Sequence, residues 1–294
     1  MKLTKLCSLI LTALTSLCLS GCFQVERVVK LKADGSGTIE ETVTMGSAMI
    51  AQMKAMQAGF GGALEGAVEG ADKDAAKDKP KDKPAAKPFE LLDEAKLKEE
   101  AKKMGEGVTF VSAKKITSKD REGYTATFAF TDINKVRLDM APPDMSPKGG
   151  GDVSIKSSST EQEPLTFKFA KGKPATLEVA IPTPKKDAKE AAADPTQEAM
   201  QEAMMPMMQQ MFKDMRLAAA IEVQGKIVST NAQFKDASRV TLADIDFNKI
   251  LSDPAKFKAM TKITDPNSAE GKAFLKTVPG IKVETNSPVK ISFQ

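Results

Sequence analysis

Residues 23–46 read FQVERVVKLKADGSGTIEETVTMG. Val25, Val29, Leu31 and Ala33 fall on one face at period two, with Arg27 interrupting the stripe. Asp34-Gly35-Ser36-Gly37 follows, which is turn chemistry. Ile39, Val43 and Met45 then alternate again, interrupted by Glu41. Two alternating runs around a Gly-rich turn predict a β-hairpin. Strict alternation requires Glu40 or Glu41 to face solvent. Asp34 is explained by the turn, because no loop of further ligands follows at calcium-binding spacing.

Outward from this hairpin the period changes. Met45, Met49, Met53, Met56 and Phe60 stand at helical spacing. Residues 61–88 are built from Gly, Ala, Asp, Lys and Pro, which cannot bury enough apolar surface to offset ordering entropy, so they read as a flexible insertion. Residues 89–104, FELLDEAKLKEEAKKM, form an amphipathic helix on Leu91, Leu92, Ala95, Leu97 and Met104. Strands are expected at 107–117, 122–131, 152–158, 163–170 and 174–181. Residues 182–195 read as a second flexible tract. A Met-rich helix follows, with Met200, Met204, Met208, Met211 and Met215 on one stripe and Pro206 as a kink. From residue 217 the period returns to two. Short helices are expected over 246–251, 254–262 and 267–277, with Asp246 capping the first. Ile281–Phe293 reads as a terminal hairpin around Thr285-Asn286-Ser287-Pro288.

Short turns between neighbouring strands imply mostly antiparallel pairing. The expected fold is α+β: a mostly antiparallel sheet with amphipathic Met-rich helices packed on one face, plus flexible Lys/Ala/Pro-rich insertions. One domain is expected over residues 22–294.

The chain opens MKLTKLCSLILTALTSLCLSGC. Lys2 and Lys5 precede an apolar run from Leu6 to Leu19, too short for a span, which needs about 20 residues. This is the layout of a secretory signal peptide over residues 1–21. Leu19-Ser20-Gly21-Cys22 resembles the lipobox of bacterial lipoproteins. That resemblance implies cleavage between Gly21 and Cys22 and a lipid thioether on Cys22, with fatty chains such as palmitate. Two or more chains make such anchoring stable, at about 0.8 kcal/mol per buried methylene. Phe23 and Gln24 follow the cysteine. By the family's sorting rule, the absence of Asp there favours the outer membrane.

Composition narrows the chemistry. The cysteines are Cys7, Cys18 and Cys22; the first two lie in the signal and the third is consumed by lipid, so no disulfide is expected. There is no His and no Trp, and Tyr124 is the single tyrosine. His-based triads, His general bases and His metal sites are excluded, as are thiol nucleophiles. With 43 basic and 39 acidic side chains interspersed, no nucleic-acid partner is implied. Lys77 to Lys87, Lys185 and Lys186 lie among acids and read as solubilising.

Seven methionines fall between residues 200 and 215. Thioethers suit Cu(I), so Met204, Met205, Met207 and Met208 form a candidate soft-metal site. Core packing or a deformable Met surface is the plainer explanation, and no cofactor is expected. Glu40-Glu41, Glu99-Glu100 and Asp244 with Asp246 are adjacent carboxylates that could serve acid–base work, but structural duties account for each. Gly271-Lys272-Ala273 lacks the rest of a P-loop, and Gly35-Ser36-Gly37 lies in a hairpin rather than before a helix.

The "DGSG" hairpin, and later a Met-containing helix running into Val223-Gln224-Gly225-Lys226-Ile227-Val228-Ser229-Thr230-Asn231, is similar in layout to LppM-type lipoproteins. Gly225, Lys226, Val228, Ser229 and Asn231 match that family's pattern, while Gln224 and Ala232 depart from it. The resemblance implies an envelope lipoprotein with a β-rich module that binds lipids or glycolipids, and it carries over no catalytic residue. The expected function is therefore non-enzymatic: a lipid-anchored envelope protein that binds an envelope partner or an apolar ligand. The alternative is a Met-rich Cu(I)-binding periplasmic protein.

Overall fold

The computed structural model describes residues 23–47, 49–51, 53–54, 90–140, 163–182, 212–261, 263 and 268–294. The 23–46 stretch is the expected hairpin. β1 (Phe23–Leu31) pairs antiparallel with β2 (Gly37–Gly46), Val29 facing Ile39 and Val25 facing Val43. The turn closes through Gly35, whose φ of 88° suits a residue without Cβ. Ser36 donates from both its backbone N–H and its hydroxyl to Asp34 Oδ1, an Asx turn. Asp34 thus holds the turn, and these bonds keep its carboxyl below its ordinary value.

Beyond the hairpin come α1 (Glu94–Lys103), β3 (Thr109–Thr117), β4 (Arg121–Phe130), β5 (Arg137–Leu138), β6 (Leu165–Ala170), β7 (Ala175–Ala180), β8 (Arg216–Val223), β9 (Ile227–Thr230) and β10 (Arg239–Asp246). α2 (Phe247–Leu251), α3 (Pro254–Thr261), α4 (Ala269–Leu275), β11 (Ile281–Val283) and β12 (Val289–Phe293) complete the described chain. Among the described residues the strands form a seven-stranded sheet, in the order β11-β10-β8-β1-β2-β4-β3, and a five-stranded sheet, in the order β5-β6-β7-β12-β9. Pairing is antiparallel throughout except between β1 and β8, which run parallel.

The protein is thus mostly β with a few helices, within the α+β class. The cover of the main sheet differs from the expectation. Ile39, Val43 and Phe128 of the seven-stranded sheet share one buried cluster with Phe167, Leu177, Ile291 and Phe293 of the five-stranded sheet. A second sheet therefore shares that layer with α1 and the described helical residues between 47 and 54. α1 starts at Asp93, which accepts from Ala95 N and Lys96 N, and it buries Leu97 and Ala101. Residues 47, 49–51 and 53–54 are helical, and Met49 and Met53 pack against the core, as their spacing implied. Met215, the last of the Met-rich stripe, is half-buried and packs against the core, while residues 196–211 of that stretch and the strand expected at 152–158 lie outside the described residues. So do the tracts 61–88 and 182–195, apart from Pro182.

A second correction concerns the C-terminus. Ile281–Phe293 is no hairpin: β11 pairs with β10 in the larger sheet, while β12 pairs with β7 and β9 in the smaller one. The link between them is fastened by Glu284, buried, which accepts from Gln233 N at 2.6 Å and Asn286 N at 2.9 Å. The chain also changes sheet between β8 and β9, at Gly225. Its φ is 134°, and an added Cβ would lie 2.5 Å from the carbonyl of Gln294. The short C-terminal helices stand close to their expected positions, with Asp246 capping α2 by accepting from Lys249 N.

Candidate functional site

The two residues that interrupt the apolar stripes of the first hairpin meet. Period two puts Arg27 on the same face as Val25 and Val29, and Glu41 on the same face as Ile39 and Val43. The hairpin register then sets Arg27 directly opposite Glu41. Both are buried, at 5% and 0% exposure. Arg27 donates from Nε to Glu41 Oε2 at 2.6 Å and from Nη1 to the carbonyl of Asp139 at 2.6 Å. Its Nη2 donates to Glu100 Oε1 on α1 at 3.3 Å. Tyr124 on β4 donates its hydroxyl to Glu41 Oε1 at 3.0 Å. One guanidinium therefore ties β1 to β2, α1 and the segment after β5. Of the glutamate pair, Glu40 is the one that faces out, and it binds Lys30 at 2.7 Å.

Electrostatics follow from this crowding. Burial opposes the charge on Arg27, but Glu41 and then Glu100 outweigh it and hold its pKa above the ordinary value. Burial, followed by Glu41, pushes the Tyr124 hydroxyl well above its usual range, so it stays a neutral donor. Burial and then Glu41 push the Glu100 carboxyl up to about 7, against the pull of Arg27. A raised carboxyl means that the folded chain holds this proton more tightly than the unfolded chain. That contribution is complete below the ordinary value of 4.5 and is lost as pH rises towards about 7. A shift of this size corresponds to about 3 kcal/mol. Glu100→Gln keeps an uncharged hydrogen-bonding group. It is expected to remove most of the stability loss between about pH 5 and about pH 8, as read by urea unfolding at both.

The other adjacent carboxylates also have structural tasks. Glu99 binds Lys102 at 2.8 Å on the exposed side of α1. Asp244 binds Arg216 at 2.9 Å, which raises the guanidinium's pKa, and Asp246 caps α2. Gly271 is buried within α4. Gly21, Cys22, Met204, Met205, Met207 and Met208 lie outside the described residues. So does any space between the Met-rich helix and the sheet. Among the described residues, no group of three or more carboxylate, His or Cys side chains could hold a metal.

A groove of about 740 Å³ lies on the outer face of the five-stranded sheet. The sheet's alternation paves it. Lys168 faces Glu178, which faces Lys290, making a charged row across β6, β7 and β12. Beside it Thr176, Ser292 and Ser229 make a hydroxyl row across β7, β12 and β9. Asn231 closes one side, accepting at Oδ1 from Lys290 N at 2.7 Å. This surface can hydrogen-bond and pair with either charge. Sequence reading missed it because its rows join strands distant in the chain.

No family model matches the chain, and no curated protein matches it. Among solved structures it is similar to the NMR structure of the folded domain of LppM from Mycobacterium tuberculosis. Identity is 11%, the TM-score is 0.26, and 77% of this chain and 84% of that chain are covered. This is the lipoprotein type whose layout residues 223–231 resemble. At that TM-score the likeness carries no argument about the site. No helix among the described residues is long and apolar enough to cross a membrane.

Proposed function

We propose that the chain is a lipid-anchored protein of the bacterial envelope, held at the outer membrane, that acts by binding rather than by catalysis. The observation that carries this reading is the junction at residues 19–23. Leu-Ser-Gly-Cys closes a signal-like leader, and β1 is described from the next residue, Phe23. The residue that a lipobox would lipidate therefore directly precedes the described part of β1. The structural duties of Glu40, Glu99, Glu100, Asp244 and Asp246 support a binding role, as does the lack of histidine in the sequence. Of the two ligand classes expected, the groove favours a polar envelope component over an apolar ligand. Its outward side chains are Lys168, Glu178, Lys290, Thr176, Ser292 and Ser229.

Cross-linking in whole cells, followed by membrane extraction, tests the binding role. Lys168→Glu combined with Lys290→Glu is expected to lower recovery of the cross-linked partner by about tenfold, because charge reversal at a contact disrupts complementarity. Equal recovery would place the contact elsewhere and remove the groove from the account.

A further inference from the structure

β1 begins at Phe23 and runs through the middle of the seven-stranded sheet. Cys22 is its covalent neighbour, and adjacent Cα atoms stand about 3.8 Å apart. An acyl group on Cys22 therefore has no spacer, and the end of the sheet where β1 starts is held at the bilayer surface.

The registers name what shares that end. Phe23 faces Met45 on β2. Gly46 faces Arg121, where β4 begins after the turn at 118–120. Gln24 faces Arg216 at the start of β8. Arg216 faces Asp246, where β10 runs into α2. The rim so formed carries a half-buried stacked pair, Phe212 and Phe247, with ring centroids 5.1 Å apart. Lys249, exposed, and Lys213, half-buried, adjoin the pair in sequence, and exposed Lys119 stands in the β3–β4 turn on the opposite side of the same rim. The acids of the rim are largely engaged within it. Asp214 pairs with Asn248, and Asp246 binds Lys249 at 3.2 Å, while Asp120 stands exposed in the turn. Apolar rings flanked by lysines suit the headgroup boundary, where rings enter and ammonium groups meet phosphates. The β1–β2 turn lies at the far end, about 26 Å along the strand at about 3.3 Å per residue.

We infer that the protein docks end-on: the rim of Phe212, Phe247, Lys119, Lys213 and Lys249 rests on the headgroups of the bilayer that holds the Cys22 lipid. The Asp34–Ser36 turn points away from that surface. This inference rests on the lipidation of Cys22 proposed above.

The test uses the full mature lipoprotein, purified with its lipid and reconstituted in vesicles of phosphatidylethanolamine and phosphatidylglycerol. The sequence offers no cysteine after Cys22, whose sulfur is held in the lipid thioether, so one introduced cysteine is the sole labelling site. Lys119→Cys marks the rim and Ala33→Cys the far turn, both at exposed positions. A nitroxide on the lipid headgroup is expected to quench a fluorophore at residue 119 several-fold more than one at residue 33. Equal quenching, or stronger quenching at residue 33, in a protein that floats with the vesicles overturns end-on docking and leaves the anchor intact. A chain of unlipidated mass that does not float overturns the anchor itself, and the inference with it.

Discussion

Glu41→Ala is expected to lower the unfolding free energy by about 3–5 kcal/mol, the cost of breaking a buried ion pair from one side. Glu41 is fully buried and accepts from both Arg27 Nε and the Tyr124 hydroxyl. Removing it leaves a buried guanidinium without the counter-charge directly across the sheet. The methyl group of alanine cannot replace that hydrogen bonding. Removing all the polar groups together has a different outcome. Arg27→Met, Glu41→Leu, Glu100→Leu and Tyr124→Phe combined replace the network's side chains with apolar ones, and such exchanges are often neutral or stabilising. Urea unfolding at constant slope measures both variants. A Glu41→Ala loss below about 1 kcal/mol would contradict burial of the pair, since surface pairs contribute that little.

The same pair shows how much of the structure is legible in the sequence. The hairpin is legible because its evidence is local: two alternating runs and an Asp-Gly turn. Its register is then fixed, and the two breaks in the apolar stripe fall opposite each other. An Arg and a Glu at matched positions of one buried face signal a buried pair, whereas alternation by itself only sends one of Glu40 and Glu41 outward. Glu100 carries no comparable signal, because the contact of α1 with Arg27 spans 73 residues. The short helices at the end are legible through their caps, such as Asp246 and Ser268.

Sheet membership is not written locally. Ile281–Val283 and Val289–Phe293 alternate around a good turn, and nothing in that pattern says that they join different sheets. β10 is masked in another way: a bulge between Thr241 and Ala243 breaks its alternation, and Asp244 and Asp246 interrupt its apolar face. A half-buried strand also does not say whether a helix or a second sheet covers it. The outer groove is assembled from β6, β7, β9 and β12, so no single segment announces it.

Anchoring at Cys22 carries the largest expected effect, because it acts as a switch rather than a gradation. If Cys22 is processed as a lipobox implies, cleavage before it would follow lipid transfer to its sulfur, and serine offers no thioether. Cys22→Ser should therefore abolish both the lipid and the processing that depends on it. The two or more chains that would hold the domain to the membrane, at about 0.8 kcal/mol per methylene, would then be lost together. The most direct measurement is metabolic labelling with a radioactive fatty acid, combined with intact mass of the wild-type chain and of Cys22→Ser. The account predicts label on the wild type, a mature chain beginning at Cys22 with diacylglycerol mass, and an unlabelled, uncleaved precursor for the variant. Unlabelled wild type, or a Cys22→Ser chain released at the normal mature size, would contradict it.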